Sequence, residues 1–373
     1  VLAALAERLE NAGLVLRRAS LQLRILHPQY AGRSYNWWRG EGWHREDHVH
    51  RPQYREDYRR SPVFLIHEGA EALHCPLTTP EGRERFPVLQ SFHERGITDY
   101  LALPLRMGDG LVEAVSFCSD RPPSPDHAGG FTPAELATLQ ELAPALAAVL
   151  ELDILRELSR TLLDTYIGRM TGGRVLEGSI ARGDRDILRA VIWYCDLREF
   201  TSLSEAEPPA NLLALLDDWF ERVVGPVRVH GGEVLKFMGD GMLAIFPVSE
   251  QRDETETCRA ALAAARDAHN RAAGLASPAG REVRYGLALH LGDVVYGNVG
   301  APDRLDFTVV GADVNRTSRI EEHCRRLGLP VLTSGAFAAH VPEGVEHVED
   351  VELRGVSGLH PIYRLRGIGP DQG

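Results

Sequence analysis

The sequence predicts an α+β chain of two mixed domains joined by a helical linker. Three observations carry that prediction. The length, 373 residues, exceeds the size at which one hydrophobic core keeps growing. Strand-like and helix-like patterns alternate in both halves, and between them leucines recur at spacings of three and four from Leu136 to Leu162. The expected division is a first domain over residues 1–150, a linker over 151–184 and a second domain over 185–367.

Leu2, Leu5 and Leu9 share a helix face, and beyond Gly13 the alternation of Ala19, Leu21, Leu23 and Ile25 reads as a half-buried strand. Arg33 to Arg60, rich in His, Arg, Trp and Tyr, reads as a loop. Its His44, His48 and His50 fit a solvated segment better than a metal or haem site. Leu101–Leu105 and Leu111–Cys118 read as paired strands. Thr132, Pro133 and Glu135 form a helix start, with Thr132 and Glu135 spaced as a capping box. Leu136, Leu139, Ala143, Leu146 and Leu150 continue that helix and should pack on their own domain, while Pro144 should kink or break it. Leu152 to Ile167, carrying Leu155, Leu158 and Leu162, is expected to form a dimeric coiled coil that transmits movement.

In the second half, Arg189 to Asp196 is an apolar strand ending in a carboxylate, followed by Leu197 and a helix start at Phe200 and Thr201. A helix over Asn211–His230 precedes a strand over Glu233–Met238, a tight turn at Gly239-Asp240-Gly241 and a returning strand over Met242–Phe246. Then come a helix over Glu254–Ala273, a strand over Val283–Leu291, a strand pair around Tyr296 and Phe307, and a helix from Asp313 carrying Asn315 and Arg319 on one face. Two carboxylates at neighbouring strand ends make a hard-oxygen site suited to Mg²⁺ or Mn²⁺, with substrate phosphate supplying further ligands.

The net charge of −12 argues against a nucleic-acid surface. No run approaches the roughly 18 apolar residues of a membrane span, and Val1 to Leu16 carries too many charges for a signal peptide. The expectation is a cytoplasmic protein with no membrane or nucleic-acid partner. Five scattered cysteines without C-x-x-C pairing suggest reduced, buried thiols.

Three segments in order, D-L-R-E-F-T-S-L-S (196–204), L-K-F-M-G-D-G (235–241) and F-T-V-V-G-A-D-V-N-R-T-S-R (307–319), resemble signatures of the class III nucleotidyl cyclases over residues 185–367. The resemblance implies a ferredoxin-like catalytic domain that converts ATP to 3′,5′-cyclic AMP and pyrophosphate. It also implies two divalent metal ions held by Asp196, Asp240 and the Leu197 carbonyl, and triphosphate on the backbone N–H groups of Phe200 and Thr201. Lys236 and Thr308 would face the purine, Asn315 would orient the ribose and Arg319 would stabilise the transferring phosphate. Family members complete the site between two catalytic domains, so a homodimer with two equivalent sites is implied. The family usually has Gly where Glu199 stands and often Asp where Thr308 stands. The Lys/Thr pair resembles a subgroup that often responds to bicarbonate, and because a hydroxyl can donate or accept, a guanylate cyclase stays open. A catalytically inactive module that dimerises or binds nucleotide is the other alternative. The order strand, turn, strand, F-T-P-x-E-L and closing helix resembles the end of a GAF domain, which implies a sensor for a small-molecule or ion effector over residues 1–150.

Overall fold

The computed structural model describes residues 1–369 apart from 26, 28, 109, 180, 182, 184 and 302, so residues 180, 182 and 184 of the expected linker lie outside the described residues. The chain divides into two compact units, Val1–Leu162 and Leu163–Gly373.

The first unit contains α1 (Leu2–Asn11), β1 (Arg18–Arg24), β2 (Tyr30–Trp38), β3 (Gly42–Val49), α2 (Pro52–Arg59), α3 (Pro62–His67), β4 (Leu73–Pro76), α4 (Pro80–Glu84), α5 (Pro87–Glu94), β5 (Asp99–Arg106), β6 (Val112–Ser119) and the start of α6 (Pro133–Tyr166). Its six strands form one antiparallel sheet in the order β3-β2-β1-β6-β5-β4. Ala19, Leu21, Leu23 and Trp37 face α1 and α6, meeting Leu139, Ala143, Leu146 and Leu150.

Three local expectations are corrected here. The strand β1 is not half-buried: Arg18 and Ser20, on the side read as solvent-facing, are buried as well. The loop expected over Arg33–Arg60 is a hairpin of β2 and β3 followed by α2. Its polar residues hid the strand pattern because Arg33, Ser34 and Asn36 are buried in the sheet, Arg33 beside Asp47. Pro144 neither breaks nor ends α6, which continues to Tyr166. The capping box forms as expected: Glu135 N donates to Thr132 Oγ1 at 3.2 Å and Thr132 N to Glu135 Oε2 at 2.7 Å. Beyond Leu150, Leu152 and Leu155 stand on the surface and Leu158 and Leu162 are half-buried.

The second unit adds α7 (Arg169–Leu176), β7 (Arg185–Leu197), α8 (Phe200–Ala206), α9 (Pro209–Val229), β8 (Glu233–Met238), β9 (Gly241–Pro247), α10 (Glu254–Ala272), β10 (Tyr285–Ala301), β11 (Arg304–Val310), α11 (Ala312–Leu327), β12 (Val331–Ser334), α12 (Gly335–Ala338), β13 (Val345–Glu352) and β14 (Leu359–Leu365). The sheet order is β13-β14-β12-β10-β7-β9-β8, with β11 paired to β10. Successive side chains of β7 point to opposite faces. Val191, Trp193 and Cys195 meet Trp219 and Val223 of α9 and an alanine stripe of α10. Ile192, on the other side, lies with Leu243, Ile245 and Val309, and α11 packs Ile320 and Cys324 against Ala288 of β10 on that side. The strands expected at Val283–Leu291 and around Tyr296 are one strand, β10, whose pairing with β7 runs unbroken from Tyr285 to Gly297. Gly292 does not interrupt it; a Cβ there would meet the Asp313 carboxylate at 2.4 Å, so glycine is what lets α11 dock. Met170 N of α7, expected in the linker, donates to Glu233 Oε1 at 2.8 Å, and Thr171 is buried against the Tyr296 hydroxyl.

Candidate active site

Asp196 lies one residue from the end of β7, opposite Gly286 of β10, and Asp240 occupies the two-residue turn between β8 and β9. Gly239 supplies the positive φ (67°) that this turn requires. The turn is held from the core: the buried Trp219 indole donates to the Asp240 carbonyl at 3.1 Å. Leu197 N donates to Asp240 Oδ2 at 3.2 Å and to Asp196 Oδ1 at 3.1 Å, so one backbone amide bridges the two carboxylates. A Cβ at Gly241 would sit 3.3 Å from Asp196 Oδ1. Burial, then the neighbouring Asp240 and Glu321, pushes the Asp196 carboxyl well above the usual carboxylate range.

The donor set fits hard divalent ions, with two carboxylates and the Leu197 carbonyl and no thiolate or imidazole. No group of three or more His, Cys, Asp or Glu side chains able to hold a metal occurs among the described residues. Ions bound here would therefore draw further oxygens from a substrate or water.

Sequence reasoning missed Glu321. Burial raises its carboxyl to about 7 against the opposing charge of Arg198, and it fills the space that a Cβ on Gly286, opposite Asp196, would need. A signal was available: Thr317, Ile320, Glu321 and Cys324 follow the i, i+3, i+4, i+7 spacing of a buried stripe, with a carboxylate in one slot. Trp219 was equally legible as core and illegible as the support of a turn.

The remaining residues stand as follows. Lys236 is half-buried on β8, where a bulge shifts the register between Val234 and Lys236. Thr308 lies on β11 opposite Gly297; it is 5% exposed and its Oγ1 has no hydrogen-bond partner among the described residues. Leu235 beside Lys236 packs in one cluster with Phe307 and Val309, which flank Thr308. Asn315 is exposed on α11, and Arg319 one turn later is ion-paired with Glu322. Phe200 and Thr201 open α8, preceded by Glu199 in the left-handed region (φ 60°, ψ 23°). No hydrogen bond or ion pair among the described residues joins Lys236, Thr308, Asn315 or Arg319 to Asp196 or Asp240. Within one chain the structure brings together Asp196, Leu197 and Asp240, and does not link them to the other four.

Residues 186–360 match the family model for the adenylate and guanylate cyclase catalytic domain. The second unit is thus a class III adenylyl/guanylyl cyclase catalytic domain, and domains of this class generally use divalent metal ions. Adenylate cyclase 1 of Rhizobium meliloti is 33% identical over 184 residues, covering 47% of this chain and 27% of that protein. An adenylate cyclase of Anabaena cylindrica is 32% identical over 200 residues, covering 50% and 39%. The chain thus spans well under half the length of these relatives. Among solved structures, the guanylyl cyclase Cya2 is similar at 27% identity and a TM-score of 0.43, over 51% of this chain and 96% of that one. No helix among the described residues is long and apolar enough to cross a membrane.

Proposed function

We propose that the protein is an adenylate cyclase that turns ATP into 3′,5′-cyclic AMP and pyrophosphate as a homodimer, under control of its N-terminal unit. The observation that carries the reading is the carboxylate pair Asp196 and Asp240, held side by side by the Leu197 amide at the strand ends of a cyclase catalytic domain.

Asp196, Asp240 and the Leu197 carbonyl are the residues that would hold two divalent ions, Mg²⁺ or Mn²⁺. Bound, such ions acidify an alcohol and neutralise phosphate charge. Phe200 N–H and Thr201 N–H would receive the triphosphate, and Arg319, released from Glu322, would stabilise charge on the transferring phosphate while Asn315 orients the ribose. The Lys236 ammonium can only donate, which suits adenine N1 and opposes the N–H of guanine N1. Thr308 Oγ1, buried without a partner among the described residues, is free to accept from the adenine amino group. That same hydroxyl can also donate, so guanylate cyclase activity is the second reading, and a response to bicarbonate would follow from the Lys/Thr pairing.

Two features support a site shared between copies. Asp196 and Asp240 have no direct link to Lys236, Thr308, Asn315 and Arg319 among the described residues. Large apolar side chains also stand exposed beside the site, Phe237 and Met238 on β8 and Leu305 and Val310 on β11. The exposed Leu152 and Leu155 of α6 mark a helix through which an effector of the N-terminal unit could rotate one catalytic domain against the other.

The test is cyclic nucleotide production from equal ATP and GTP with Mg²⁺ or Mn²⁺, by the wild-type chain, by Asp240→Ala, by Arg319→Ala and by a mixture of the two variants. Cyclic AMP from the wild type, none from either variant alone, and recovery on mixing are expected. A mixture as inactive as its parts would refute the shared site, and cyclic GMP as the main product would overturn the base preference.

A further inference from the structure

Helix α11 starts without a side-chain cap, because its N-cap is Gly311. The carboxylate of its first turn, Asp313, serves strand β10 instead. Asp313 Oδ2 accepts from Asp293 N at 2.8 Å, and Asp313 Oδ1 accepts from Arg316 at 2.5 Å and lies 3.3 Å from His290 Nε2.

His290 is the member of this group that is fixed independently of the helix. It is 3% exposed on β10, opposite Ile192 of β7. Its Nε2 faces a carboxylate, which can only accept, so Nε2 carries the ring proton and Nδ1 is left to accept. Nδ1 takes the hydroxyl proton of Ser334, 2.7 Å away at the end of β12, and Ser334 Oγ in turn accepts from Phe337 N at 3.2 Å. The orientation of the ring is thus set by β10, β12 and the start of α12. The buried contacts of Ile320 and Cys324 with Ala288 hold α11 on the sheet, but apolar contact has no direction and leaves rotation about the helix axis cheap. Hydrogen bonds restrict it. Arg198 supplies them at the far end, donating to the Cys324 and Leu329 carbonyls at 2.9 and 2.6 Å, and Asp313 with His290 supplies them at the start.

At 3.6 residues per turn, Asn315 and Arg319 lie roughly 200° and 240° around the axis from Asp313, so they project from the opposite side of the helix. Turning the first turn by about 10° would carry a side chain about 5–6 Å from the axis through about 1 Å. An error of that size at a group that must meet a reacting atom costs on the order of a hundred-fold in rate.

We propose that His290 is a positioning residue for the reaction: through Asp313 it fixes the rotation of α11, and with it Asn315 and Arg319. The proposal rests on the cyclase reading given above, in which those two side chains meet the ribose and the transferring phosphate.

The test uses the full chain and two substitutions that divide the ring. Glutamine can set an amide nitrogen where Nε2 stands and so keep the donor to Asp313, whereas asparagine reaches only as far as Nδ1 and keeps the Ser334 side alone. His290→Asn should lower kcat for cyclic nucleotide formation about ten-fold or more while KM changes less than about three-fold, and His290→Gln should recover to within about three-fold of wild type. Asp313→Ala should show the same kcat loss, and adding His290→Asn to it should cost nothing further, because one contact is lost only once. Amide hydrogen exchange across residues 313–320 reads the helix without turnover, and should quicken about ten-fold in His290→Asn and not in His290→Gln. Should His290→Asn fail to fold, Asp313→Ala against His290→Gln makes the same comparison. Equal kcat losses for asparagine and glutamine, a loss carried by KM, additive losses in the double variant, unchanged exchange, or a lower melting point with kcat untouched would each overturn the proposal. A wild-type chain that makes no cyclic nucleotide would overturn the cyclase reading instead, and exchange would then still decide whether His290 fixes α11.

Discussion

Glu199 tests whether local backbone strain has been read correctly. It is the one non-glycine residue with positive φ among the described residues, at φ 60° and ψ 23°, and it sits immediately before α8 without a side-chain capping bond. The left-handed conformation costs an L-residue about 1–2 kcal/mol relative to glycine. Glycine at this position would also widen the unfolded ensemble, which takes back about 0.4–1 kcal/mol. Glu199→Gly should therefore stabilise the second unit by somewhat under 1 kcal/mol, by the difference of those two figures. Equilibrium urea unfolding, followed by the fluorescence of the buried Trp193 and Trp219, would show this as a higher midpoint at unchanged slope. Glu199→Ala is the control, since it discards the carboxylate and keeps the Cβ, and it should gain little. An unchanged or lower midpoint for glycine, or an equal gain for alanine, would refute the strain argument and point to the carboxylate instead. Cyclase activity should survive Glu199→Gly, because the change leaves Asp196 and Asp240 in place.

Three further outcomes concern the second unit. Asp240→Asn removes one of two adjacent carboxylates, so in EDTA it should melt about 2–4 °C higher than wild type; added Mg²⁺ or Mn²⁺ should raise the wild-type melting point and leave the variant's unmoved. Trp219→Phe keeps most of the buried bulk but withdraws the hydrogen bond to the Asp240 carbonyl. It should lose about 1 kcal/mol by urea titration and need more metal for half-maximal activity. Asp313 is held down to about 2, first by its hydrogen bond with His290 and then by Asp293 N–H and the Arg316 charge, with burial opposing. A folded pKa below the unfolded value stabilises above the unfolded pKa and is lost as pH falls through the folded one. Asp313→Asn should therefore lower stability at pH 6 and flatten its fall between about pH 4 and pH 2, measured by urea midpoints along a pH series.

What the sequence disclosed and what it hid differ by the range of the interactions involved. The turn at Asp240 was legible because Gly-Asp-Gly between two apolar runs is a local instruction, and the chain needs nothing distant to obey it. The capping box of α6 was legible for the same reason. Of the two outcomes expected at Pro144, a kink or a break, the break does not occur, because the helix around it is held by packing of Leu139, Leu146 and Leu150 on the sheet, and tertiary contacts outweigh one missing backbone bond. The hairpin of β2 and β3 was hidden because alternation marks a strand only when one face is apolar. Where Ser34 and Asn36 point into a polar interior, a strand and a loop have the same composition. Arg18 shows the same limit most sharply. In sequence it is the polar partner of Ala19 on an amphipathic strand, and its burial comes from Asn36 and Ser116 on the neighbouring strands and from Trp38 and Phe92 beside its guanidinium, all distant in sequence. Glu321 and Trp219 lie between these extremes, because their burial was readable from helical spacing while their function depends on which strand end each one meets. A carboxylate in an otherwise apolar helical stripe is accordingly the local sign to look for when a site assembles from distant strands, and Asp196 with Glu321 is the instance this fold provides.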